Sequence, residues 1–378
     1  MRIKNYHPNC SACRACQCIC PKKAINLVES DKGFLYPSID DTICIECGLC
    51  YQVCQCFHSP VKRNYKGFLA YYDNDAVRTH SQSGGLFYGV AEVILSENGI
   101  VYGCAINDDL SVQQIKIESI NDLSKLQGSK YVQSDTYGTY NQVARDLKNN
   151  KVVIYSGTSC MIDGLYLYLA NKKIDYTNLF TCDLICYGVL SPKLFRENLQ
   201  RISNQHEKKI KNVNFRDKKF GWHSSIQTYI FEDNSQISEK YWAELMYSGF
   251  ACRECCYQCQ YVDISKKPAD MTMGDFWGIE KILPNINDDN KGFSLAIVRS
   301  SKIEKLLRKS QLTIQEVPVE HLMDNNRNEK TVQKPYLYDQ FWRDYLKHGL
   351  SYCLKKYTVY GGIPFKLKRK LLKTINHW

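Results

Sequence analysis

Cys10-Ser11-Ala12-Cys13-Arg14-Ala15-Cys16-Gln17-Cys18-Ile19-Cys20-Pro21 sets a pattern that Cys44-Ile45-Glu46-Cys47-Gly48-Leu49-Cys50-Tyr51-Gln52-Val53-Cys54-Gln55 repeats. Both runs have the spacing C-x2-C-x2-C-x3-C; Pro21 follows the first and Gln55 the second. Two complete copies so close together are not a chance arrangement. Of the 19 cysteines, ten lie between positions 10 and 56, four between 252 and 259, and five are scattered. Residues 1 to about 62 show little apolar periodicity, so this stretch is expected to be held by metal rather than by a core of its own. The opening residues Met1 to Pro8 contain no apolar leader, and no run approaches the roughly 18 apolar residues that cross a bilayer. A cytoplasmic location is therefore expected. In that reducing compartment, grouped cysteines serve metal or redox chemistry rather than disulfides.

The spacing selects the metal group. Three thiolates of one short loop can grip three irons of a 4Fe-4S cube, while the fourth cysteine, expected to start the following helix, reaches the other cluster. The crossover assigns cluster one to Cys10, Cys13, Cys16 and Cys54, and cluster two to Cys44, Cys47, Cys50 and Cys20. The alternative, a pair of zinc knuckles, rarely uses a third cysteine at such compact spacing. Cys18 and Cys56 each lie two residues from an assigned ligand and read as small packing residues. The pattern is that of a bacterial-type two-cluster ferredoxin module.

From Tyr65 onward the character changes. Gly67 to Tyr72, Ile100 to Ala105, Val152 to Tyr155 and Ser294 to Val298 read as strands. Gly85 to Leu95, Tyr137 to Lys148 and Lys302 to Lys309 read as helices, and Cys252 to Cys259 as a loop. The expected fold is α+β: a ferredoxin domain over residues 1–62, then a larger mixed α/β domain in two parts, 63–150 and 151–335, and a basic tail over 336–378.

Several further stretches, in this order, carry a resemblance. They are Arg78-Thr79-His80-Ser81-Gln82-Ser83-Gly84-Gly85, Gly128-Ser129-Lys130-Tyr131, Ser156-Gly157-Thr158-Ser159-Cys160 and Asp183-Leu184-Ile185-Cys186-Tyr187-Gly188. Phe215-Arg216-Asp217-Lys218, Cys256-Tyr257-Gln258-Cys259 and Ala269-Asp270-Met271-Thr272-Met273-Gly274-Asp275-Phe276-Trp277-Gly278 follow. With the amino-terminal module, they make nearly the whole chain resemble the beta subunits of coenzyme F-420 hydrogenases and dehydrogenases, including bacterial members encoded among polysaccharide-synthesis genes. The resemblance implies an oxidoreductase that passes electrons from a ferredoxin-like donor through 4Fe-4S clusters to FAD, and on to an unidentified small or lipid-linked substrate. The alternative it leaves is a protein that only relays electrons to a catalytic partner.

The flavin expected from the resemblance would be held by Ser81, Gln82, Ser83, Gly84, Gly85, Gly128, Ser129, Lys130, Tyr131, Gly157, Thr158 and Asp275. Ser-Gln-Ser-Gly-Gly before a helix offers amides and hydroxyls to a pyrophosphate, although an ordinary helix start has the same composition. Gly157-Thr158 follows a strand, where α/β proteins place ligands. Lys130 can pair with a phosphate or be a surface lysine, and Asp275 and Trp277 can line the site or be corner residues. Cys160, Cys186, Cys256 and Cys259 are the resemblance's candidates for a third 4Fe-4S cluster, with Cys182, Cys252 and Cys255 as competitors. Ser159 stands where relatives often have proline, and Tyr187 where many have histidine.

The formal charge is +11, but no dense basic helix is interleaved with base-stacking aromatics before the last residues, so nucleic acid is not expected. A basic redox protein instead suits an acidic electron donor such as ferredoxin. In the tail, Lys366, Lys368, Arg369, Lys370 and Lys373 alternate with Phe365, Leu367, Leu371 and Leu372. Such a segment can be a solvated helix packed on its domain, or can make peripheral contact with an anionic membrane surface.

Overall fold

The computed structural model describes residues 1–3, 5–319, 322, 332–358 and 367. Its strands are β1 (Ile25–Glu29), β2 (Leu35–Ile39), β3 (Lys66–Tyr72), β4 (Ile100–Ile106), β5 (Val112–Ile117), β6 (Val153–Gly157) and β7 (Leu179–Leu184). They continue with β8 (Ile210–Asn214), β9 (Gln227–Phe231), β10 (Gln236–Glu239), β11 (Met271–Asp275), β12 (Ser294–Val298) and β13 (Leu312–Val317). Eight form one mixed sheet in the order β13-β3-β12-β11-β7-β6-β4-β5. β4, β6, β7 and β11 are parallel. β12 runs against both β11 and β3, which restores β3 to the direction of the parallel four. The carboxyl ends of these five strands, at Tyr72, Ile106, Gly157, Leu184 and Asp275, therefore share one edge of the sheet.

Helices cover both faces, which is why the inner strands read as nearly continuous apolar runs; every residue of β12 is buried. Leu86–Ser96 and Ser301–Lys309 pack on one face. Thr139–Lys148 and Ser159–Asn171 pack on the other. Residues 63–150 and 151–335 thus contribute strands to a single sheet. Beside it, the antiparallel sheet β10-β9-β8 and the helices Pro192–His206, Tyr241–Ser248 and Tyr338–Tyr357 share a second, largely aromatic core.

Two expectations need correction. Part of the region taken as a basic tail is the helix Tyr338–Tyr357, interrupted at Gly349, which buries Phe341, Trp342 and Tyr345. The described residues end at 358 apart from Leu367, so the remaining tail residues named above lie outside them. The amino-terminal stretch has only a small core of its own, around Ile3, Ile25 and Ile39. It also shares the main core: Ala15, Ile19 and Val53 pack among Tyr140, Leu165 and Leu169. Each Ile or Val fully buried in this way contributes about 1.5–3 kcal/mol, so burial supplements whatever metal contributes. Arg14 pairs with Asp135 across the same contact, with a second bond of 2.7 Å between Nη2 and Oδ2.

Candidate functional site

The duplicated cysteine runs fold alike. Ala12 and Arg14 in the first loop, and Glu46 and Gly48 at the equivalent positions of the second, all have φ between 53° and 77°. A left-handed conformation is costly for a residue with a side chain, and its repetition curls each loop around a common centre. A short helix follows each loop, Ala15–Ile19 and Leu49–Gln52. Cys20 is the C-cap of the first and Cys54 lies just beyond the second. The fourth cysteine therefore closes its helix instead of starting it. That extra turn carries the thiol away from its own loop.

The first cavity is lined by Cys10, Cys13, Cys16 and Cys54, together with Cys56. The second is lined by Cys20, Cys44, Cys47 and Cys50. Each cavity draws three thiols from one run and one from the other. Among the described residues, no three His, Cys, Asp or Glu side chains converge as ligands of a single ion. A tetrahedral zinc would hold its sulfurs about 3.8 Å apart, so thiols that do not converge on one point suit a multi-atom cluster better. Burial pushes the thiols of Cys13 and Cys16 well up, and that of Cys10 up against the opposing effect of Arg253. Metal ligation requires the thiolates, so binding here would release protons.

A third cavity, larger than the other two, adjoins the first; Ser11, Gln55 and Cys56 line both. It contains Cys160, Cys186, Cys255, Cys256 and Cys259. The electrostatic neighbours of Cys160 are Cys255, Cys259 and Cys186, whereas those of Cys256 are Cys255, Cys252 and Cys186. Cys255, a competitor in the sequence, thus has Cys160, Cys186 and Cys259 as neighbours, while Cys256, which also lines the cavity, has buried Cys252 among its own. Cys182 lies in β7, away from this cavity, with Asp270 and Asp183 as its neighbours. Cys18 packs with the main core, as expected of a packing residue, while Cys56 sits between two cavities and donates to the Asn9 carbonyl at 3.0 Å. Two buried cations at this cavity were not legible from spacing. Lys267 donates to Ser159 Oγ at 2.8 Å and the Leu184 carbonyl at 3.0 Å, and Arg253 is fully buried.

The residues expected to hold a flavin gather along the carboxyl edge of the sheet. Gln127 donates to Ser81 Oγ at 3.0 Å and the Ser129 amide to Gln82 Oε1 at 3.3 Å, so the loops at 81–85 and 127–130 are tied together. Some of these residues already have structural partners. Ser83 donates to the Phe293 carbonyl at 2.5 Å, and the Gly84 amide to Ser294 Oγ at 2.9 Å. Gly84 must be glycine for packing alone: a Cβ there would lie 2.6 Å from the Ala70 carbonyl oxygen. Asp275 pairs with Arg216 at 2.6 Å and accepts from Trp222 Nε1 at 2.7 Å, while Arg216 also neighbours Tyr131. Trp277 stacks on Trp222, ring centroids 4.4 Å apart, beneath the Arg216 guanidinium. Thr158 opens into the third cavity, and a Cβ at Gly128 would meet nothing within 4 Å.

Three observations at this edge fit an anionic dinucleotide. Lys218 donates to the Arg78, Ser83 and Lys291 carbonyls at 2.5–2.6 Å. Lys130 donates to the Lys125 and Gln127 carbonyls at 3.3 and 2.8 Å, and burial lowers it to about 8. Both ammonium groups thus hydrogen-bond to carbonyls, while Asp275 and Asp289 lie among the charged neighbours of Lys218. The buried Gln82 Nε2 has no hydrogen-bond partner among the described residues. A buried donor of that kind costs about 1–3 kcal/mol unless something meets it.

Fold and site together define a cysteine-rich mixed α/β protein whose candidate site residues lie at the carboxyl ends of parallel strands. Residues 150–320 match the family described as the C terminus of the coenzyme F420 hydrogenase/dehydrogenase beta subunit. The F(420)H(2) dehydrogenase F subunit of Methanosarcina mazei is 22% identical over 188 residues, covering 41% of this chain and 54% of that protein. The chain spans about half the length of this curated relative. A chain of the xenon-derivatised F420-reducing NiFe hydrogenase complex from Methanosarcina barkeri superposes with a TM-score of 0.48 at 14% identity, over 78% of this chain and 91% of that one. Among the described residues, no helix is long and apolar enough to cross a membrane.

Proposed function

We propose that this chain is an iron-sulfur flavoprotein oxidoreductase whose amino-terminal ferredoxin module feeds electrons toward a flavin at the sheet edge. Cys10, Cys13, Cys16 and Cys54 would hold one 4Fe-4S cluster, and Cys20, Cys44, Cys47 and Cys50 a second. Cys160, Cys186, Cys259 and Cys255, in place of Cys256, would hold a third. The observation that carries the reading is the contiguity of the cavities. Cys16 has Cys50 of the second cavity as a neighbour, Cys56 lines the first and third, and Thr158, at the carboxyl end of β6, lines the third. Clusters exchange electrons singly and a flavin exchanges them singly or in pairs, so the series suits a junction between a one-electron donor and a hydride-accepting substrate.

The chain's own residues supply the setting. Buried Ala15, Ile19 and Val53 dock the module on the sheet, and Lys130 and Gln82 present donors to an FAD pyrophosphate. An acidic ferredoxin-like donor is the proposed input, and a small or lipid-linked substrate, in polysaccharide assembly, the proposed output. The name of the Methanosarcina mazei relative makes reduced coenzyme F420 the first alternative reductant to test. The match to a family of beta subunits favours a second reading, in which electrons pass to a catalytic partner.

Anaerobic purification tests the proposal. About twelve irons per chain with stoichiometric released FAD are expected, and about eight would remove the third cluster. Zinc in place of iron, or iron-loaded protein that cannot bind added FAD, would refute the corresponding part. Turnover of a small acceptor by the isolated chain would favour the enzyme. Electron exchange without turnover, together with co-purification of a larger partner protein, would favour the relay.

A further inference from the structure

Arg253 is fully buried, yet none of its hydrogen bonds goes to a carboxylate. Nε donates to the Cys10 carbonyl at 2.6 Å, Nη1 to Gln133 Oε1 at 3.0 Å and Nη2 to the Leu35 carbonyl at 2.7 Å. Its guanidinium lies over the Tyr36 ring, 4.4 Å from the centroid. The acidic groups around it are Cys10, Cys255, Tyr36 and Cys256. Cys10 belongs to the first cavity, and Cys255 and Cys256 to the third, which Arg253 itself lines. A guanidinium keeps its charge at any accessible pH. Buried without a counter-charge it would be strongly destabilising. The negative charge that compensates it must come from the two cysteine groups on either side.

We propose that Arg253 is the shared counter-ion of the first and third cysteine sites, a positioning residue that sets the reduction potentials of the groups they hold. The inference rests on the reading that both sites hold clusters. A 4Fe-4S cluster with four thiolates carries a charge of about −2 when oxidised and takes one more negative charge on reduction. A fixed cation nearby stabilises the reduced form more than the oxidised one, and low-polarity surroundings strengthen the effect. The first and third sites would therefore be easier to reduce than they would be without Arg253. The second site, whose lining does not include Arg253, would feel it least. Such an arrangement favours electron movement inward from Cys20, Cys44, Cys47 and Cys50.

Anaerobic redox titration of the full chain, followed by electron paramagnetic resonance, tests this. Arg253→Gln removes the charge. Gln133→Glu leaves Arg253 in place and sets a carboxylate against Nη1, so it tests the same charge if the first variant fails to fold. In either folded variant, the equilibrium constants for reducing the first and third clusters should fall at least tenfold, which is 59 mV for one electron. The second cluster should move much less, and Arg253→Lys should restore part of the shift. First-cluster and third-cluster potentials unchanged in a fully iron-loaded variant would overturn the inference, as would an equal shift of all three. Iron content separates the two claims. About eight irons in the wild-type chain would sink the third cluster, while the first-cluster shift would still decide the role of Arg253.

Discussion

Cys54 belongs to the second cysteine run in sequence and to the first cavity in space. Cys54→Ser should therefore lose the cluster of Cys10, Cys13 and Cys16, lowering iron by about four per chain, and spare the site of Cys44, Cys47 and Cys50. Cys20→Ser should do the reverse. Iron analysis with spectroscopic identification of the surviving cluster checks both, and unchanged iron in either variant would contradict the pairing. The sorting of these eight thiols into two cavities was legible because a spacing repeated twice within a few residues limits where the thiols can lie. The neighbours that balance charge were not. Arg253 meets Cys10 across 243 positions and Lys267 meets Ser159 across 108, contacts that only the tertiary fold creates. Asp275 shows the same limit, since a glycine-flanked aspartate gives no sign of its partner Arg216. Asp275→Asn would leave that guanidinium buried without its carboxylate, at a cost of about 3–5 kcal/mol. A large drop in the denaturation midpoint, accompanied by flavin loss, is expected; a midpoint within error of wild type would show that the pair contributes little.

Among the larger elements, the buried strands of the sheet were readable because both their faces are covered, leaving continuous apolar runs at β4, β6 and β12. The helix Tyr338–Tyr357 was hidden for the opposite reason. Its aromatic side chains are interspersed with Asp339, Arg343, Asp344 and Lys347, and Gly349 interrupts it, so neither a clean stripe nor a single period shows. The three-stranded sheet was missed as well: β8 and β10 are short and half exposed, with little apolar alternation. The loop before Leu86–Ser96 mixes the two kinds of signal. Its composition marks a helix start, but Gly84 is fixed by the carbonyl of Ala70 and the amide of Ser294, atoms that cannot move aside. Gly84→Ala should cost about 1–3 kcal/mol through overpacking, and it should weaken FAD retention because the loop carries Ser81 and Gln82. Thermal unfolding and flavin release measured on the same sample test this; a variant with wild-type stability and full flavin would show that the contact relaxes cheaply.

At the scale of the molecule, charge becomes the informative property. The formal +11 falls to about +5 if three clusters each bring about −2, so the loaded protein still attracts an acidic donor. Reduction by a small acidic ferredoxin should slow at least tenfold between about 0.05 and 0.5 M salt, because the screening length shrinks from about 14 to about 4 Å. Reduction by an uncharged mediator should change little. Five of the basic residues, Lys366, Lys368, Arg369, Lys370 and Lys373, lie in the tail beyond the described residues, and removing 364–378 separates two uses of that charge. Near an anionic bilayer each would contribute about 1 kcal/mol, enough for reversible attachment and too little for permanent anchoring. If the tail serves the membrane, the full chain should float with anionic vesicles at low salt, the truncated chain should not, and the salt dependence of ferredoxin reduction should survive truncation. If it serves the donor instead, both forms should float equally poorly and the salt dependence should flatten on truncation. Equal flotation of both forms, with unchanged donor kinetics, would remove the tail from either role.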